Sequence, residues 1–185
     1  GVHQGLFTVA DLSVTYQSTS QSSFKEHFNF GVNGLSSLYQ PKVFDIASIT
    51  KMIVTLLVYR LLTRGEHPEF SLDAPVKKFV PDLSGSFVDE LTICHLLTFH
   101  TKFNRFITPE EMLQESIADP QSRVLVKMLD QIKSVGLEDK PGLKHNYANV
   151  HTILLGLVLE NAFGKSLEEL IKMHITSPLG LADTT

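Results

Sequence analysis

Ser48 and Lys51 stand three residues apart in the segment Phe44-Asp45-Ile46-Ala47-Ser48-Ile49-Thr50-Lys51, immediately ahead of the apolar run Met52 to Leu62. Residues three apart on a helix are surface neighbours, so a hydroxyl and an amine would sit side by side. They would do so in the first turn, where backbone N–H groups have no partner within the helix. A serine hydroxyl beside a group that can take its proton is an apparatus for nucleophilic attack on a carbonyl. A second Ser-x-x-Lys, Ser22 with Lys25, lies in a polar Ser/Gln stretch with no helix to hold the lysine over the serine. The structural alternative makes Ser48 a small helix-start residue and Lys51 a surface lysine, and spacing alone does not separate these readings. Tyr147-Ala148-Asn149 is the chain's one Tyr-x-Asn and also precedes a helical pattern. Its structural alternative is a packed aromatic followed by a capping amide.

The elements that must position these residues can be read from periodicity and punctuation. A helix is predicted over Ile46 to Arg64, uninterrupted by Pro or Gly until Gly65 at the C-cap position. Because it is apolar on most sides, it is expected at the centre of the molecule. Upstream, Gly5 to Gln17 alternates as a half-buried strand with Leu12, Val14 and Tyr16 on one face, and a second strand is expected around His27 to Val32. Downstream, Glu66 to Pro81 reads as an irregular connection with a short helical turn between Ala74 and Phe79. Thr92 caps a helix through Ile93, Leu96 and Leu97. Thr108-Pro109-Glu110-Glu111 is a capping box, and Asp119-Pro120 opens a helix to about Ser134. Val150 to Phe163 forms a strongly apolar helix ended by Gly164. Ser166-Leu167-Glu168-Glu169 then opens another to about Ile175. The fold class is α+β: a strand pair, then a helical body, with no repeat or linker dividing it. Two strands alone do not make a stable sheet, so further strands are expected from elsewhere.

Composition narrows the function classes. The 185 residues are 43% hydrophobic and 19% charged, enough for one good core. A formal charge of -4, with no long Lys/Arg run, argues against a nucleic-acid partner. Cys94 stands alone and defines no redox compartment; it is expected as a small core residue. The Met52 to Leu62 run is too short to span a bilayer and contains Arg60, so no transmembrane segment is expected, and the first residues show no signal-peptide pattern. The eight histidines lack the i, i+4 spacing of a helical zinc motif, and no glycine-rich phosphate loop occurs. Neither a metal nor a cofactor is expected.

In order and context these segments resemble the serine β-lactamase and penicillin-binding protein superfamily, in the branch of class C β-lactamases, D-alanyl-D-alanine carboxypeptidases and related esterases. The nucleophile motif is matched by Val43 to Lys51. Leu72-Asp73-Ala74-Pro75-Val76, Leu96-Leu97-Thr98, Pro141-Gly142 with Tyr147-Ala148-Asn149, and Ser177-Pro178-Leu179-Gly180-Leu181 follow in the family's order. The resemblance runs from about Phe30 to the last residue. It implies a β-lactamase/transpeptidase-like fold, present here as one incomplete domain: strands and loop over 1–43, nucleophile helix over 44–65, helical region over 66–185. It assigns Ser48 as nucleophile, Lys51 and Tyr147 as the groups that move its proton, and Asn149 as a ligand for the substrate's amide carbonyl. It further implies an acyl-enzyme formed from a β-lactam, a D-Ala-D-Ala peptide or an ester, and a periplasmic or cell-envelope setting. The family's third motif, Lys-Thr-Gly or His-x-Gly, does not follow the Tyr-x-Asn segment, nor do the strands that complete the sheet. The missing C-terminal segment is therefore an expected partner, and the 185-residue chain alone is expected to be inactive. Where the family has His-Thr-Ser-Gly, this chain has Phe99-His100-Thr101-Lys102. The alternative function is a non-catalytic, penicillin-binding-like fragment that holds a peptide or partner without turnover.

Overall fold

The computed structural model describes residues 9–17, 23–31, 45–83, 87–103, 129–130, 132, 136–182 and 184. The chain divides into two compact units, Gly1–Asp45 and Ile46–Thr185. In the first, strands β1 (Val9–Gln17) and β2 (Ser23–Gly31) pair antiparallel, from Val9 opposite Gly31 to Gln17 opposite Ser23. β2 begins at Ser23 rather than near His27. The alternation of Phe24, Phe28 and Phe30 reaches back across Lys25 and Glu26, so the strand pattern starts earlier than His27.

The second unit is helical. Helix α1 (Ile49–Arg64) starts at Ser48 and ends at Gly65, whose φ of 63° lets its N–H reach the carbonyls of both Leu61 and Leu62 at 3.2 Å. Val54, Leu57, Val58 and Leu61 recur at helical spacing and are buried. Ile49, Met52, Leu56 and Tyr59 lie on the other side and are at least half exposed. Among the described residues the helix is thus buried on one face and not on most sides.

It packs against α3 (Asn149–Phe163), α4 (Leu167–Ile171) and the turn Lys172–Thr176 that follows, while the short α2 (Ile93–Leu97) packs on α3. Thr92 closes the N-terminus of α2 by accepting from His95 N–H at 3.4 Å, while its own N–H donates to His95 Nδ1 at 3.2 Å. This is a reciprocal capping box with histidine in the usual place of Glu or Gln. Ser166 and Glu169 make the expected box at α4. Beyond Ile171 the coil widens to a π-helical turn over Lys172–Thr176, so the helical path ends one residue past the expected Ile175. The expected turn after Pro75 is a 3-10 turn over Val76–Lys78. The Thr108 capping box lies outside the described residues, as does most of the helix expected over 119–134.

The core is aliphatic around α1 and α3 and aromatic at one end. There Phe70 packs edge-on against Phe79 and Phe163 with centroids 5.9 and 5.2 Å apart, and His67 joins the same two rings. Asn161 Nδ2 donates to the Phe79 carbonyl at 2.7 Å, tying α3 to this cluster. Cys94 is half-buried rather than enclosed. Thr101 is buried, and its hydroxyl has no hydrogen-bond partner among the described residues. A buried unpaired hydroxyl costs about 1–3 kcal/mol, so Thr101→Val is expected to raise the thermal midpoint, read by differential scanning calorimetry. A lowered midpoint would show that the hydroxyl is satisfied. No helix among the described residues is long and apolar enough to cross a membrane.

Candidate active site

Ser48 lies at a tight entry to α1. Ala47 before it adopts φ 44°, and successive three-residue turns follow: Ile49 N–H to Ile46 O at 3.0 Å, Thr50 N–H to Ala47 O at 3.1 Å, Lys51 N–H to Ser48 O at 3.2 Å. A left-handed alanine costs roughly 1–2 kcal/mol, and such strained backbone clusters at functional sites. One turn on, Lys51 Nζ donates to Ser48 Oγ at 3.0 Å and to Asn149 Oδ1 at 2.7 Å. Asn149 is the first residue of α3, so the lysine joins two helix starts 98 residues apart in sequence. The Lys51 ammonium also lies 5.1 Å from the centre of the Tyr147 ring.

Tyr147 completes the group. Hydrogen bonds with Ser48, and then with Lys51, hold its phenol below the usual tyrosine range, and the Lys51 charge adds to the effect. The structure therefore brings together all four residues singled out in the sequence: Ser48, Lys51, Tyr147 and Asn149. Ser48, Lys51 and Tyr147 line an open cleft of about 510 Å³ together with Met52, Leu56, Tyr59 and Phe99. Ser48, Lys51 and Tyr147 are thus each hydrogen-bonded to the other two. Asn149 accepts from Lys51 through its Oδ1, and a substrate carbonyl, itself an acceptor, would call on its Nδ2 instead.

Phe99 was not among the sequence candidates. Its ring lies 4.9 Å from that of Tyr147, and its backbone takes φ 56°. A positive φ at a phenylalanine leaves no mark in the sequence. Its carbonyl accepts from Asn146 N–H at 2.8 Å, fixing the strand of chain that leads into Tyr147. Lys102, which takes the family's glycine position, is not among the positive-φ residues and instead pairs with Glu138 at 2.6 Å. The left-handed turn of this loop falls on Phe99 and needs no glycine at 102. Ser22 lies outside the described residues and Lys25 lies on β2, so the second Ser-x-x-Lys is not helical at its lysine. Among the described residues no group of three His, Cys, Asp or Glu side chains is arranged to hold a metal ion.

The sequence model of the beta-lactamase family matches residues 40–185, which includes every residue of this cluster. The chain belongs to the beta-lactamase family. It is 30% identical over 158 residues to an Escherichia coli (strain K12) protein provisionally named a D-alanyl-D-alanine carboxypeptidase, covering 77% of this chain and 33% of that protein. It is also 30% identical over 151 residues to esterase EstB of Burkholderia gladioli, covering 76% of this chain and 38% of the esterase. The beta-lactamase-family chain thus spans little more than a third of the length of these curated relatives. Among solved structures it is similar to a D-stereospecific amidohydrolase from a Streptomyces species, with a TM-score of 0.67 at 21% identity, covering 85% of this chain and 47% of that one. At that identity the likeness speaks for the fold: the chain has a β-lactamase-like fold.

With the cluster exposed to solvent, its electrostatics are open to salt. Tyr147 ionises below its ordinary pH, so the limb of the acylation rate that rises with pH is expected to level off below pH 10. Because Tyr147 is more than half exposed and the Lys51 charge is the smallest of the causes that lower its titration, added salt is expected to move the limb back up only slightly. A pH–rate series at low and high ionic strength checks both.

Proposed function

We propose that this chain carries the acylation centre of a serine hydrolase, with Ser48 attacking an amide, lactam or ester carbonyl. The observation that carries the reading is the bridge of Lys51 Nζ to Ser48 Oγ and Asn149 Oδ1. Ser48 Oγ forms the new C–O bond while its proton passes to the Tyr147 oxygen, which enters as the phenolate and becomes the phenol. The carbonyl electrons move to oxygen, and on collapse the proton returns to the leaving nitrogen or oxygen, leaving an ester on Ser48. Lys51 holds the attacking oxygen and stabilises negative charge on the Tyr147 oxygen. The Ser48 N–H, at the start of α1, is proposed as one oxyanion donor. The relatives named as a carboxypeptidase and an esterase support carbonyl substrates of these two kinds.

As one incomplete β-lactamase-like domain, the chain is proposed to acylate faster than it turns over, with a C-terminal segment of the same protein supplying the second oxyanion donor. His3-Gln4-Gly5, its one His-x-Gly, precedes the nucleophile and so is out of order for the family's third motif. The test is intact mass after incubation with benzylpenicillin and with p-nitrophenyl acetate. A single adduct lost in Ser48→Ala supports the reading; an adduct of equal yield in Ser48→Ala contradicts it. Steady hydrolysis that Tyr147→Phe abolishes would contradict the expectation of weak turnover. The alternative of a binding module without chemistry predicts saturable binding and no adduct.

A further inference from the structure

The described residues hold a buried polar side chain that the proposed chemistry does not use. His151, one turn into α3, is fully buried. Its Nδ1 lies 3.0 Å from the carbonyl oxygen of Ala148, the residue between Tyr147 and Asn149, and its Nε2 lies 3.1 Å from the carbonyl oxygen of Thr101. Its ring meets Phe99 and Phe103 edge-on, with centroids 5.1 and 5.4 Å away. Phe99 in turn stacks on Tyr147. We infer that His151 is a positioning residue for Tyr147, its ring tying the loop that carries Phe99 to the segment that carries Tyr147 and Asn149. The inference rests on the acylation reading above for its function, though not for its geometry.

The chemistry of imidazole makes this tie sensitive to protons. Both ring nitrogens face carbonyl acceptors, and a neutral imidazole has one N–H, so it can donate to one carbonyl only. The second nitrogen then directs its lone pair at the other oxygen. The imidazolium form donates to both. Opposing this, burial pushes the group below the ordinary histidine range, and the His145 charge adds to that, while the two carbonyls draw it back up. The rings of Phe99 and Phe103 offer no counter-charge. His100 lies beyond, with its ring 5.6 Å from that of His145. A packing role alone would ask only for the shape of the ring; two ring nitrogens on two carbonyls ask for donors.

Three variants separate the roles. His151→Phe keeps an aromatic ring between Phe99 and Phe103 and removes both donors, and His151→Gln restores an amide donor. Acylation of Ser48 by p-nitrophenyl acetate, followed by mass, is expected to fall roughly tenfold to a hundredfold in His151→Phe, the scale of a misplacement of about 1 Å at the reacting atoms. Part of the rate is expected to return in His151→Gln. In a Tyr147→Phe background, His151→Phe should cost nothing more, since it acts through Tyr147. A wild-type rate in His151→Phe, or the same loss with Tyr147 already removed, overturns the inference. If the unmodified protein gives no Ser48 adduct, the acylation reading fails by itself and the positioning is read directly. The Tyr147 phenol, observed by NMR with ring-labelled tyrosine and assigned with Tyr147→Phe, is then expected to titrate at higher pH in His151→Phe. An unchanged titration overturns the inference.

Discussion

Replacing Lys51 with methionine is expected to slow acylation of Ser48 by roughly two to four orders of magnitude, the range typical of losing a positioned proton-transfer group. Methionine keeps the length and apolar body of the side chain, so α1 should fold as before. What is lost is a single nitrogen with three engagements: the bond to Ser48 Oγ at 3.0 Å, the bond to Asn149 Oδ1 at 2.7 Å, and the approach to the Tyr147 ring at 5.1 Å. The Tyr147 phenol also loses a hydrogen-bond partner and the positive charge beside it, so its titration should move back toward the ordinary range. Stopped-flow release of p-nitrophenolate with a thermal melt on the same sample checks the claim. A large rate loss with an unchanged midpoint is the expected pair of results. An unchanged rate would leave Lys51 a surface lysine.

The largest expected effect on stability comes from the buried face of the same helix. Leu57 is fully buried near the middle of α1, among Val54, Val58 and Leu61. Leu57→Ala removes its transfer free energy and leaves a cavity, at a cost of about 2–5 kcal/mol. Against a total stability of roughly 5–15 kcal/mol, that is a large fraction. Urea unfolding followed by circular dichroism is expected to show the loss as a lower midpoint with an unchanged slope. Leu56→Ala, one residue earlier and half exposed, is expected to cost well under half as much. Equal costs at the two positions would contradict the one-sided burial of α1.

Much of this site was legible in the sequence because its parts sit at helix starts, and helix starts have strong local signatures. Gly65, Thr92, Gly164 and the Ser166 to Glu169 box mark boundaries that the structure places within a residue or two of expectation. Ser48 with Lys51, and Tyr147 with Asn149, could each be found from spacing. That the two pairs meet depends on how α1 packs on α3, and no local pattern encodes a contact across 98 residues. The resemblance to a family supplied that step.

What escaped reading did so for identifiable reasons. The left-handed backbone of Phe99 has no residue-type signal, because glycine is the usual mark of such a turn. His151 looked like one of several scattered histidines, since its two partners are main-chain carbonyls that every residue possesses. Pervasive hydrophobicity made α1 look buried all round, yet Met52 and Leu56 remain more than half exposed beside the reactive hydroxyl. Apolar content sets how much a helix can bury, and the number of neighbours decides how much it does.

The central claim is that the oxygen held by Lys51 is the one that becomes acylated. The most direct measurement is proteolytic mapping by tandem mass spectrometry of the protein trapped with benzylpenicillin. The acyl group is expected on the peptide that contains Ser48, with fragment ions locating it at that residue and no modification of Ser22 or Ser23. Stable acylation at any other side chain, with Ser48 unmodified, would contradict the account.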